Sequence, residues 1–70
     1  MKKFSVLIAN RHATSISLEE PFYEVLKQIA KEQNTTLSAL ITQIDATRTE
    51  ENLSSAIRVF VLKTLQNSQN

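Results

Sequence analysis

The side chains able to do chemistry in this chain are few: one histidine, His12, the acid pairs Glu19–Glu20 and Glu50–Glu51, and hydroxyls such as Ser54 and Ser55. A general base needs a second group to work with, and His12 has no sequence-local acid, so a structural or partly exposed imidazole accounts for it better. The acid pairs stand where helices start, and carboxylates there complement the positive end of the helix dipole. Ser54 and Ser55 follow Asn52 in what reads as a first helical turn, with no base nearby to activate them. Phe22 and Tyr23 open an amphipathic segment, where core packing outweighs a stacking platform. The chain has no cysteine, which excludes disulfides and thiolate metal sites, and a single histidine cannot build a two-histidine zinc site. It also has no glycine, which removes the dinucleotide fingerprint and the P-loop. These residues predict neither catalysis nor a cofactor or metal.

Residues 12–18 (HATSISL) are more informative. Read as a strand, period two puts Thr14, Ile16 and Leu18 on one side and Arg11, Ala13, Ser15 and Ser17 on the other. The first set suits a core. The second is small and polar, with a cation at one end. The major groove of DNA admits a two-stranded ribbon, serine can donate to or accept from base edges, and arginine prefers guanine. A solvated strand face explains small polar residues equally well, and on the strand alone that reading is preferred.

The elements that must position this strand follow from hydrophobic periodicity. Residues 4–9 (FSVLIA) form a second extended segment, separated from the first by Asn10 and Arg11. A two-residue turn there would pair Ala9 with His12 and Ser5 with Ile16, placing Phe4, Val6 and Ile8 on the side of Ala13, Ser15 and Ser17. From Glu19 the period becomes helical. Phe22, Val25, Leu26, Ile29 and Ala30 form one stripe, predicting a helix over 19–34 with Pro21 in its first turn, Ser17 and Glu20 at capping-box spacing, and Asn34 in a left-handed cap. Thr35 or Thr36 caps a second helix over 36–48 carrying Leu37, Leu40, Ile41 and Ile44. Asn52 caps a third over 52–66, with Leu53, Ala56, Ile57, Phe60, Val61 and Leu65. Val59 and Leu62 widen that stripe, so the third helix should be largely enclosed. Residues 67–70 read as a frayed tail.

Length and charge bound the partners. A 70-residue chain buries only about 60% of its unfolded surface and needs some further stabilisation. With disulfides excluded, oligomerisation is the expected source, through a homodimer or a tetramer built from dimers. The formal net charge is +1 but unevenly laid out. Residues 1–18 carry Lys2, Lys3 and Arg11 with no acid, residues 19–51 hold all seven acids against Lys27, Lys31 and Arg48, and residues 52–70 add Arg58 and Lys63. A basic first quarter suits a polyanion, and two-fold symmetry would double it. The longest apolar runs, 6–9 and 59–62, fall far below the ~20 residues of a membrane span. No membrane partner is expected, and a cytoplasmic location is the default.

Three pieces in order, TSISLEEPFYEVLKQIA, LSALITQID and NLSSAIRVFVL, resemble one bacterial branch of small ribbon-helix-helix proteins, over about residues 5–65. The resemblance implies a mainly α fold behind a short β-ribbon, here with an extra N-terminal strand and an extra C-terminal helix, as an intertwined dimer. It implies that the strands of two subunits pair antiparallel and enter the major groove of double-stranded DNA. Ile16 and Leu18 then match buried strand positions, and Ala13, Ser15 and Ser17, with Arg11, the base-reading ones. Asn34, Thr35, Thr36 and Ser38 match the phosphate anchor, where exposed N–H groups at a helix start attract phosphate, joined by Lys2 and Lys3. Ile16, Leu18, Phe22, Leu26, Ile41, Ile57, Phe60 and Val61 are assigned to core and dimer interface.

Two functions follow. One is a dimeric transcriptional regulator that binds DNA. The other is a non-catalytic protein-interaction or assembly module on the same scaffold, an antitoxin-like role included. The second is motivated by Ala13, where relatives often carry a longer polar residue, and by the apolar strand 4–8, which would offer a protein partner a surface.

Overall fold

The computed structural model describes residues 1–9, 11–49 and 51–68, the last residue by its backbone alone. Asn10 in the expected turn, Glu50 of the second acid pair, and the terminal Gln69 and Asn70 lie outside the described residues. The element order is β1 (Lys2–Ile8), β2 (His12–Leu18), α1 (Glu20–Glu32), α2 (Leu37–Thr47) and α3 (Leu53–Ser68). A two-stranded antiparallel hairpin is followed by three helices, as in a ribbon-helix-helix fold with one strand and one helix added.

The hairpin register differs by one residue from the two-residue-turn expectation. Ile8 pairs with His12, Val6 with Thr14, Phe4 with Ile16 and Lys2 with Leu18, so residues 9–11 form the connection. A one-residue slip moves every side chain of a strand to the other face. Phe4, Val6 and Ile8 therefore share a face with Thr14, Ile16 and Leu18, and that face packs on the helices, with Val6, Ile16 and Leu18 buried. The physical reason is burial. The two-residue turn would leave three apolar side chains in water, at roughly 1.5–3 kcal/mol for each that is fully buried instead. The longer connection holds Ala9 in the left-handed region at φ 54°, with the Arg11 N–H donating to the Ile8 carbonyl at 3.0 Å.

The left-handed conformation costs a residue with a Cβ about 1–2 kcal/mol, partly offset because glycine loses more chain entropy on folding. Ala9→Gly is accordingly expected to stabilise the fold by about 0.5–1 kcal/mol, which thermal unfolding followed by circular dichroism would register as a rise in Tm of a few degrees.

Capping explains most helix ends. The Asn34 N–H donates to Lys31 O at 3.1 Å and the Thr35 N–H to Ala30 O at 2.9 Å, with Asn34 at φ 59°. This is a Schellman motif with asparagine in the usual place of glycine. Thr36 caps α2 by accepting from the Ala39 N–H at 3.0 Å, and Asn52 caps α3 by accepting from the Ser55 N–H at 3.3 Å. The Ser17–Glu20 capping box does not form. Glu19 is the N-cap without a side-chain cap bond, because Ser17 still belongs to β2. α3 runs on through Gln66 and Asn67 to Ser68, beyond the expected end at 66.

Ile16, Leu18, Leu26, Ile41, Ile57 and Val61 are all buried in the core, with Phe22 and Phe60 packed half-buried against it. The expected enclosure of α3 is not achieved within one chain. Leu62 is 55% and Leu65 43% exposed, because α3 lies on β2, α1 and α2 by one side and no further element among the described residues covers the other.

Candidate nucleic-acid interface

The hairpin's outer face carries Lys3, Ser5 and Leu7 from β1 opposite Ser17, Ser15 and Ala13 from β2. Lys3, Ser5, Leu7, Ala13 and Ser15 are exposed and Ser17 is half-buried. Lys3, Ser5, Ser15 and Ser17 line one shallow depression together with Phe4. Arg11 is exposed in the turn at the hairpin tip. Phe4, Val6 and Ile8, expected on this face, lie on the other, and Lys3, Ser5 and Leu7 stand here in their place, so the surface is more polar than the two-residue turn implied.

The two edges of the hairpin are not equivalent. In an antiparallel ladder, residues alternate between pairs that exchange hydrogen bonds and pairs whose N–H and C=O groups point outward. The Leu7 N–H donates to Ser38 Oγ on α2 at 3.3 Å, and the Ala9 N–H to Thr42 Oγ1 at 3.0 Å. Leu7, Ser5 and Lys3 therefore direct their backbone groups away from β2, and α2 hydroxyls cap that edge near the tip. By the same alternation, Ala13, Ser15 and Ser17 direct theirs to the far edge of β2. The Ser17 carbonyl bears this out by accepting from Ser54 Oγ on α3 at 3.1 Å. Among the described residues, the outward backbone groups of Ala13 and Ser15 have no partner.

The proposed anchor residues are gathered at the start of α2. Asn34, Thr35, Thr36 and Leu37 share an open concavity of about 580 Å³ with Lys27 and Lys31, one turn apart on α1. The two lysines were not singled out from the sequence, although their i,i+4 spacing just before the turn is visible there. The Thr36 hydroxyl is engaged in the cap, which leaves the first α2 amides, Leu37 and Ser38, facing outward. Ser38 and Thr36 also border Leu7 and Ala9, which places the α2 start beside the outer face of the hairpin. Lys2 departs from the group. It lies over the Tyr23 ring at 5.5 Å on the helix side, with Lys27 over the same ring at 4.9 Å and the Phe4 ring tilted against Tyr23, centroids 4.8 Å apart.

The β2–α1 junction is clamped by α3. Arg58 grips Glu19 with both ends of its fork, Nε to Oε1 at 2.8 Å and Nη2 to Oε2 at 3.1 Å, four residues after Ser54 reaches Ser17. These hydrogen bonds, with one from the backbone N–H of Glu19, hold its carboxyl below its ordinary pKa. A lowered pKa adds stability that is complete above the unfolded-state value and is lost as pH falls through the folded one. Arg58→Gln should therefore flatten the acid-side decline in stability, so that urea midpoints of variant and parent differ more at pH 7 than at pH 3. From the sequence alone Ser54 reads as part of a cap. Arg58 interrupting an apolar stripe was the available signal for the clamp.

His12 is exposed and, among the described residues, has no side-chain partner. No group of three or more His, Asp or Glu side chains able to hold a metal occurs among the described residues, and no helix there is long and apolar enough to cross a membrane.

A two-stranded ribbon leading directly into a helix, a capped turn and a second helix define a ribbon-helix-helix architecture. The family model for the ribbon-helix-helix domain matches residues 1–65, and the chain belongs to that family. Neither a curated protein nor a solved structure gives a match.

Proposed function

We infer that the chain is a dimeric DNA-binding transcriptional regulator, in which the β2 strands of two protomers pair antiparallel about an axis at Ser15 and enter the major groove. The observation that carries this reading is the state of β2. Its outer face is small and polar, and its far edge offers the backbone groups of Ala13 and Ser15 without partners among the described residues, whereas the half of the β1 edge opposite them near the tip is held by Ser38 and Thr42 at Leu7 and Ala9. Ribbon-helix-helix domains generally bind DNA as dimers, which supports the same reading. Ser15 and Ser17 then hydrogen-bond to base edges, and Ala13 touches a thymine methyl. Arg11 and Lys3 supply positive charge, and Leu37 and Ser38 amides with Lys31 hold a phosphate beside the Asn34–Thr36 turn, Lys27 being engaged by Glu24 and the Tyr23 ring.

Selection from a pool of random duplexes, followed by salt titration of the enriched sequence, tests the reading. The log of the affinity should fall linearly with the log of salt. Ser15→Ala and Ser17→Ala should change which sequence is preferred, while Arg11→Gln weakens all duplexes alike. Failure to retain any duplex even at low ionic strength would exclude it.

An assembly or antitoxin-like module is the second reading, and the surface it would use is not the strand 4–8. Phe4, Val6 and Ile8 face the helices, so the apolar surface on offer is the groove of Pro21, Phe22, Val25, Val61 and Leu65, about 210 Å³, beside exposed Leu62.

A further inference from the structure

We propose that β1 is a groove-wall strand: it lies over the sugar–phosphate backbone on each side of the major groove, holding phosphates through Lys3 and Ser5, while β2 alone reads bases. The proposal rests on the dimeric DNA-binding reading and says where the extra strand of this chain goes within it. The observed register aligns Lys3 with Ser17 and Ser5 with Ser15, so the β1 side chains look out from the same face as the base-reading ones, one strand further from the axis. Near the tip the β1 edge is held by Ser38 and Thr42 of α2 at Leu7 and Ala9, which obstructs a second copy along that half of β1, whereas Ala13 and Ser15 opposite are open on the β2 edge.

The order across the paired molecule is then β1, β2, β2 and β1. At about 4.8 Å between neighbouring strands, the outer pair are about 14 Å apart, against a major groove about 12 Å wide. Two strands fit inside; the flanking two cannot follow and meet the walls. What β1 presents there matches a wall. Lys3 is a cation, Ser5 a short hydroxyl donor, and Leu7 an apolar side chain suited to the face of a deoxyribose. No acid lies in residues 1–18 to repel phosphate. The start of α2, with Thr36 and Ser38, borders Leu7 and continues the same line outward, so anchor and wall strand follow one phosphate track.

Ser5→Lys is the discriminating variant, because Ser5 is exposed and its replacement disturbs no core contact. Dimer and enriched duplex are studied by fluorescence anisotropy over a range of salt, with Ser5→Glu as the opposite change and Ser15→Ala as the base-reading comparison. A lysine on each wall adds two phosphate contacts per dimer, so the slope of log affinity against log salt should steepen by about 2 on every duplex, with sequence preference unchanged. Ser5→Glu should weaken every duplex at least about tenfold. If Ser5→Lys changes which sequence is preferred, β1 lies inside the groove and the proposal fails. If neither variant alters affinity while the parent binds and Ser15→Ala shifts preference, β1 stands clear of the duplex and the proposal fails with the DNA-binding reading intact. A parent that binds no duplex removes both.

Discussion

Ser15→Pro is expected to yield a folded monomer that has lost at least about 100-fold in duplex affinity. The outward alternation of β2 makes this specific. The Ser15 N–H points away from β1, so proline removes no hydrogen bond from the hairpin, and the exposed side chain leaves the core untouched. On the dimeric reading, that N–H sits at the two-fold axis, where its loss and the ring's bulk block pairing of the two β2 strands. Half a ribbon then offers half the base contacts and half the phosphate contacts, and the affinity falls on both counts. Analytical ultracentrifugation and circular dichroism check the monomer and its fold. A Ser15→Pro variant that remains dimeric would show that the protomers meet elsewhere, with the groove beside Leu62 and Leu65 the first surface to examine.

The second large effect concerns the seam between ribbon and helices. Leu18 is 0% exposed, the last residue of β2 and two residues ahead of α1. Truncation to alanine removes its transfer free energy and opens a cavity in a core where Leu26 and Ile57, themselves fully buried, cannot collapse to fill it. Such changes cost about 2–5 kcal/mol. For a domain of this size, each kcal/mol moves Tm by about 4–8 °C, so Leu18→Ala should lower Tm by at least about 8 °C in a thermal melt. Leu18→Met, which keeps most of the volume, should cost less than about 1.5 kcal/mol. Equal melts for the two variants would mean that the seam is looser than its burial indicates.

Period and caps were legible in the sequence because each depends on neighbours within a turn. The stripes from Phe22 to Ala30 and from Leu37 to Ile44 read as helices, and Asn34, Thr36 and Asn52 stand at the turns and caps expected for them. The hairpin register was not legible. It turns on whether the connection holds two residues or three, and Ala9, a poor residue for positive φ, gives no local sign that it takes that conformation. Burial of Phe4 and Val6 against helices far along the chain decides it. The same non-locality hid Thr42, Ser54 and Arg58, whose partners Ala9, Ser17 and Glu19 lie 33 to 39 residues away. Ser38 shows the converse. It was singled out as a phosphate ligand for its place at a helix start, and its hydroxyl also holds the β1 edge through Leu7.

Base reading rests on the outer face of β2, and amide chemical-shift mapping on addition of an enriched duplex interrogates that face residue by residue. The largest shifts are expected on Ala13, Ser15 and Ser17 and on Leu37 and Ser38 at the start of α2, with α3 beyond Val61 unmoved. Shifts confined to α3 around Leu62 and Leu65, or none at saturating duplex, would contradict it.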